Sequence, residues 1–219
     1  MIEMTGIKGI IFDFDGTLVD SLGIWKDLDS IYLMEKGFPA PEDLRRAIEG
    51  LSFNETASYF KKRFSLKESV EKIVDDWHEH IETVYPFLPF KEGAQNFVRR
   101  LEEKGYKLAL ATSNSRRLVS MVLEEQNFEN VFPIIVTSDD VGRGKPCPDV
   151  FLETAKRMEL SPANCLVFED TYNGVLGAKR AGMKTLAIFD FHNKERWEDI
   201  LEIADYTAEH YEDIEGMIL

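Results

Sequence analysis

Two pairs of acidic residues stand where apolar runs stop. Gly9–Phe12 gives way to Asp13, Phe14, Asp15, Gly16 and Thr17, and residues 165–168 give way to Glu169, Asp170 and Thr171. Taking an unpaired carboxylate out of water is costly unless a cation or hydrogen-bond donors compensate. Asp13 and Asp15, at i and i+2, share a face of an extended chain. Two neighbouring carboxylates repel unless a cation lies between them. A metal is therefore the first suspect, and oxygen donors with no histidine or thiolate beside them suit Mg²⁺ better than Zn²⁺. The alternatives are a surface Asp-x-Asp-Gly turn for the first pair and an exposed helix-capping acid for Glu169.

Two further stretches carry chemistry. Thr112, Ser113, Asn114 and Ser115 follow the apolar residues 108–111 and precede a helical pattern. Hydroxyls and backbone N–H groups at a helix start suit a phosphate, although a simple N-cap needs only one of them. Lys145 lies in Gly142-Arg143-Gly144-Lys145-Pro146-Cys147-Pro148, just before another helical pattern. A lysine is usually a solvated surface charge. Rigid flanks suggest one that is positioned, a compact charge for a phosphoryl group or a carboxylate.

These groups need a scaffold. After the first strand, residues 22–36, 42–49, 52–64 and 70–84 read as helices, with no convincing strand between residues 20 and 87. Ser52 and Glu55 form a capping-box pattern at the third of them. From Lys91 onward strands and helices alternate: strands at 107–111, 134–136, 165–168 and 184–189, helices at 94–104, 115–126, 150–158 and 174–181. Such alternation implies right-handed parallel crossovers. The expected fold class is α/β, a doubly wound parallel sheet (a Rossmann-like core) with an inserted all-helical cap. Residues 1–19 and 88–219 would form the core and residues 20–87 the cap. The tail from residue 192 suggests one helix around 194–203 and a short β-like segment near 206–207. An insertion leaving the sheet beside Asp13 and Asp15 is placed to close over them and exclude water.

The net charge of −14 argues against nucleic acid and against an anionic membrane surface. It does not forbid an anionic substrate, because a local metal and one lysine can outweigh it inside a cleft. Cys147 and Cys165 have no metal-ligand spacing and read as free thiols in a reducing compartment. No signal-peptide pattern and no long apolar run is present, so a cytoplasmic protein is expected.

Together, Asp13-Phe14-Asp15-Gly16-Thr17, Thr112, Lys145-Pro146 and Glu169-Asp170 resemble the four ordered motifs of the haloacid-dehalogenase-like hydrolases. The helical insertion is similar to that of members with a cap in the first position, such as phosphoglycolate phosphatase and β-phosphoglucomutase. The resemblance implies that Asp13 is a nucleophile forming an aspartyl-phosphate. It implies that Asp15 is the acid for the leaving oxygen and then the base for water. Mg²⁺ would be held by the Asp13 and Asp170 carboxylates and the Asp15 carbonyl, with Glu169 in support. Thr112, with the N–H groups of Ser113 and Asn114, would hold the phosphoryl oxygens, and Lys145 would bridge nucleophile and phosphoryl group.

The implied function is a Mg²⁺-dependent phosphatase acting on a small phosphorylated metabolite, as a monomer. The rivals are a β-phosphoglucomutase-like sugar phosphomutase and a non-catalytic phosphate-binding module. Sugar phosphomutases of this kind carry a histidine where this chain has Trp25. They also carry an arginine in the loop that here reads Gly50-Leu51-Ser52-Phe53-Asn54. Without that cation a second phosphate loses its anchor, which favours hydrolysis. Trp25, Asn54 and Arg116 are the candidate substrate-facing residues; Trp25 and Asn54 read equally well as cap core.

Overall fold

The computed structural model describes residues 2–218. Strands β1 (Gly9–Phe12), β2 (Lys107–Thr112), β3 (Ile134–Thr137), β4 (Cys165–Glu169), β5 (Lys184–Ile188) and β6 (Tyr206–Ala208) form one sheet. Its order is β3-β2-β1-β4-β5-β6 and every pairing is parallel. The chain has an α/β fold with a doubly wound parallel sheet. β1 is central because its apolar residues are buried from both sides. Ile10 and Phe12 join the larger apolar core, and Ile11 joins a second one with Ala109, Ala111 and Val167. A strand covered on both faces reads as a continuous apolar run, as this one does.

Four helices follow β1 within residues 20–87: α1 (Leu22–Glu35), α2 (Leu44–Ile48), α3 (Phe53–Arg63) and α4 (Val70–Ile81). No strand occurs in residues 20–87. The expected capping box forms at α3: Ser52 Oγ accepts from Glu55 N–H at 3.1 Å, and Ser52 N–H donates to Glu55 Oε2 at 2.8 Å. α4 is shorter than its apolar spacing suggests. It stops at Ile81, and a single 3-10 turn, Tyr85–Phe87, carries Pro86 instead. The chain leaves and re-enters the sheet side by side, with Asp20 N–H donating to the Pro89 carbonyl (3.0 Å) and Lys91 N–H to the Leu18 carbonyl (2.8 Å).

The remaining helices are α5 (Ala94–Glu103), α6 (Arg116–Glu125), α7 (Ser138–Val141), α8 (Asp149–Arg157), α9 (Tyr172–Arg180), α10 (Trp197–Ile203) and α11 (Tyr211–Ile218). The tail differs from the sequence reading. Residues 191–196 form 3-10 turns before α10, and α11 has no counterpart in the expected elements. α11 is short and acidic, with little periodic signal. It is held by tertiary contact: Tyr211 packs on Phe97 and Phe168, and its hydroxyl donates to the Thr17 carbonyl at 3.0 Å. Among the described residues no helix is long and apolar enough to cross a membrane.

Candidate active site

The sheet register brings the acidic pairs together. Phe12 lies opposite Leu110 on one side and Phe168 on the other. One residue on, Asp13 N–H donates to the Phe168 carbonyl at 2.9 Å. Asp13 and Glu169 therefore meet at the carboxyl ends of β1 and β4, where the strand order reverses and open α/β sheets bind ligands.

Lys145 enters this corner from the loop before α8. Its Nζ stands 2.6 Å from both Asp13 Oδ1 and Glu169 Oε1, and the residue is 3% exposed. The aliphatic stem leads past Phe151, whose ring centre lies 5.3 Å from the ammonium. Burial works against that charge, but Asp13 and Glu169 outweigh it and push the lysine upward, so it stays protonated. Glu169 spends its other oxygen, Oε2, on the N–H of Asp170 (2.9 Å) and on the N–H and hydroxyl of Thr171 (both 3.0 Å). Gly174 packs so tightly beneath it that a Cβ there would overlap the carboxylate.

Asp170 is fully buried. Its Oδ1 accepts from the Thr17 hydroxyl at 3.0 Å and its Oδ2 from Asn193 Nδ2 at 2.5 Å. Burial, with Glu169 and Asp13 nearby, pushes its carboxyl well above the usual carboxylate range. Burial likewise raises Asp13 to about 7, with Lys145 opposing and Glu169 and Asp15 adding to the shift. Carboxylate oxygens of Asp13, Glu169 and Asp170 all lie within 4.8 Å of one another. One ammonium thus faces three buried carboxylates made only of hard oxygen donors. A hard divalent cation fits this corner, because it would offset the remaining charge and each Asp170 oxygen keeps a lone pair free.

Asp15 is held differently. Its Oδ1 accepts from Ser21 Oγ (2.6 Å), Trp25 Nε1 (2.7 Å) and the Tyr85 hydroxyl. Its Oδ2 accepts from Asn114 Nδ2 at 2.8 Å. Ser115 N–H donates to Asn114 Oδ1 at 2.6 Å, which turns the amide so that its nitrogen faces Asp15. Burial beside Asp15 keeps the Tyr85 phenol well above its ordinary value and hence a donor.

The phosphate-type loop also converges here. Thr112 is buried at the end of β2, and its Oγ1 accepts from Asn114 N–H at 3.0 Å, leaving its own proton for a ligand. Ser113 Oγ donates to the Gly50 carbonyl at 3.1 Å. That contact belongs to a seam in which the segment between α2 and α3 lies directly on the sheet's loops. Gly144 N–H donates to Glu55 Oε2 at 2.8 Å, and Asn173 Nδ2 donates to the Glu49 carbonyl at 2.9 Å. Gly50 has φ +79°, and a Cβ there would stand 2.7 Å from the Lys145 carbonyl oxygen.

Of the three residues read as substrate-facing, Trp25 reaches the site through Asp15. Asn54 is exposed, with its N–H 3.4 Å from Asp139 Oδ1. Arg116 lies on the outer surface, where its guanidinium donates to Asp140 Oδ2 (2.5 Å) and the Ile135 carbonyl (2.8 Å). Phe53 is buried against Trp25, Trp77 and His78, so the segment 50–54 presents no cation. Tyr85 and Asn193 were not legible as site residues: one follows a helix stop and the other sits in the acidic tail, with no motif around either.

The sequence model of the haloacid dehalogenase-like hydrolases matches residues 10–188. The chain belongs to that family. It is 33% identical over 182 residues to the bifunctional riboflavin kinase/FMN phosphatase of Arabidopsis thaliana, which covers 82% of this chain and 48% of that protein. The chain thus spans about half the length of that relative. It is 31% identical over 181 residues to a phosphorylated carbohydrates phosphatase of Thermotoga maritima, covering 82% of this chain and 84% of that protein. Among solved structures, a putative beta-phosphoglucomutase from Thermotoga maritima superposes with a TM-score of 0.72 at 28% identity, over 97% of this chain and 100% of that one. CbbY from Rhodobacter sphaeroides, in complex with phosphate, shares the fold with a TM-score of 0.80 at 20% identity, over 94% and 95%. The chain is an enzyme of the family's phosphatase branch.

Proposed function

We propose that this chain is a Mg²⁺-dependent phosphatase that hydrolyses a small organic phosphate monoester through an aspartyl-phosphate on Asp13. The observation that carries the reading is the buried corner in which Lys145 bridges Asp13 and Glu169 with Asp170 beside them. Phosphoryl transfer asks chiefly for positioning and charge neutralisation, and this corner is built for both.

In this reading Asp13 attacks phosphorus while the bond to the leaving oxygen breaks, and Asp15 gives that oxygen a proton. Asp15 then takes a proton from water as the water attacks the acyl phosphate, releasing inorganic phosphate and restoring Asp13. Lys145 draws charge from the nucleophile's oxygen and the transferring group. The Thr112 hydroxyl and the Ser113 N–H receive the phosphoryl oxygens, and the Asn114 N–H joins them by leaving Thr112 Oγ1. Asp13, Asp170 and the Asp15 carbonyl would hold the metal, with Glu169 in support; when bound, Mg²⁺ offsets the repulsion between a carboxylate and a phosphate dianion. Residues 20–87 act as a cap over a core of residues 1–19 and 88–219.

Hydrolysis rather than phosphoryl transfer between sugar positions is favoured by the cap. Trp25 engages Asp15 directly, and the segment 50–54 offers no cation for a second phosphate. The test is phosphate release over a panel of sugar phosphates, nucleotides and phosphoglycolate, with Asp13→Asn as control. The variant is expected to fold and to lose about 10⁴-fold or more in turnover, the scale for removing a nucleophile. Undiminished release by Asp13→Asn would overturn the assignment.

A further inference from the structure

Asn193 links the buried metal corner to the helical segment. Its backbone lies in the 3-10 turns that follow β5: Asn193 N–H donates to the Asp190 carbonyl at 2.9 Å, and Asp190 pairs with Lys91 at 2.8 Å. Its side-chain nitrogen donates to Asp170 twice, to Oδ2 at 2.5 Å and to the main-chain carbonyl at 3.2 Å. Its side-chain oxygen accepts from Arg45 Nη2 at 3.0 Å, and Arg45 belongs to α2.

An amide has a donor end and an acceptor end. Turned the other way, Asn193 would press a carbonyl oxygen against the Asp170 carboxylate. A guanidinium has only donors, so Arg45 holds Oδ1 on its own side and forces Nδ2 onto Asp170. The contact spans 148 residues in sequence and joins α2 to the tail beyond β5. A second clasp alongside it, Arg196 to Glu49 Oε1 at 3.1 Å, keeps α2 on that tail.

Resting on the proposed metal site, we infer that Arg45 is a positioning residue. Docking of α2 orients Asp170 through Asn193, so the seated cap and the bound metal stabilise each other. Groups that orient a metal's ligands typically change affinity by about 10–100-fold when removed. Coupling of this kind is reciprocal: what seating α2 does for the metal, the metal does for seating α2.

The experiment is calorimetric titration of Mg²⁺ alone into the intact chain, with no substrate. Asn193→Ala is expected to weaken binding by about 10–100-fold. Arg45→Met keeps the aliphatic stem, touches neither metal nor reacting atoms, and is expected to weaken binding by roughly tenfold. The double variant is expected to bind no worse than Asn193→Ala, because both act on one ligand. If Asn193→Ala does not fold, hydrogen exchange of the Leu44–Ile48 amides decides. Mg²⁺ should slow that exchange in the parent chain and have no such effect in Arg45→Met. Unchanged affinity in Arg45→Met, additive losses in the double variant, or equal protection in both chains would overturn the relay while leaving the metal site standing. A parent chain that binds no Mg²⁺ would overturn the metal site and the relay together.

Discussion

Asp13 and Asp15 stand two residues apart and are held by different parts of the molecule. The groups around Asp13, namely Lys145, Glu169 and Asp170, come from strand ends and loops of the sheet. Asp15 is gripped by Ser21, Trp25 and Tyr85, which sit at the exit and return of the helical segment, and by Asn114 from the sheet. The first set has its geometry fixed by parallel register and close packing, and its members are buried. The second set depends on where the helical segment sits. In the proposed reaction the nucleophile is thus preassembled, while the proton carrier is completed by seating the cap.

The largest expected effect strikes the sheet side. Gly174→Ala puts a methyl into the Glu169 carboxylate, and overpacking of this kind costs about 1–3 kcal/mol. Displaced Glu169 also releases Lys145. A shift near 1 Å at such a site can cost ~10²-fold in rate, so thermal melting and turnover should fall together. Loss of neither would show that this corner tolerates movement.

Next comes Tyr85→Phe, on the side of the helical segment. It removes one of several donors to Asp15, and a hydrogen bond contributes about 0.5–1.5 kcal/mol. A kcat about tenfold lower with little change in KM is expected in steady-state assays; a pure KM effect would place Tyr85 in substrate binding instead.

Gly50→Ala should act more weakly still. A Cβ there meets the Lys145 carbonyl oxygen and the residue has φ +79°, so the segment between α2 and α3 is pushed away from the sheet's loops. The variant should raise KM by roughly tenfold or less, ~1 kcal/mol in transition-state binding, and melt a few degrees lower, because a side chain in the left-handed region costs about 1–2 kcal/mol. An equal loss in Asp13-side reactivity, read as slower phosphorylation in a single turnover, would erase the contrast between the two halves.

The smallest effect is a pH dependence carried by the helical segment. Burial raises Asp29 from 3.8 to about 7, with Arg45 opposing. The folded chain therefore binds this proton more tightly than the unfolded chain. Its contribution to stability is present below about pH 4 and is lost as pH rises through about 7. Asn cannot ionise, so Asp29→Asn should melt a few degrees higher than the parent at pH 8, since about 1 kcal/mol moves Tm by ~2–4 °C at this size. The gap should close by pH 4; a gap that persists there would assign the gain to packing instead.

Much of the sheet was legible in the chain itself. The apolar run before Asp13 and the one before Glu169 are both strands, and Ser52 with Glu55 caps α3 as its spacing suggests. α11 was not legible, because it is short, acidic and stabilised by Tyr211 reaching back to Thr17. Asn54 was singled out by its place in the loop where similar phosphomutases carry an arginine, and Arg116 by lying just beyond Asn114. Spacing does not say which face of α3 or α6 turns inward, and both residues stand exposed.

By itself the sequence determined the parallel α/β core, the ordered acidic, hydroxyl and lysine motifs at its strand ends, and the family they mark. These are local properties: apolar period, breakers, and residue types within a few positions of each other. Only the tertiary structure decided which aspartate is gripped by which part. The deciding bonds join Asp15 to Tyr85 across 70 residues, Asp15 to Asn114 across 99, and Arg45 to Asn193 across 148. Contacts at such separations leave no periodic trace in the chain. They exist only once burial of the sheet and helices has brought their ends together.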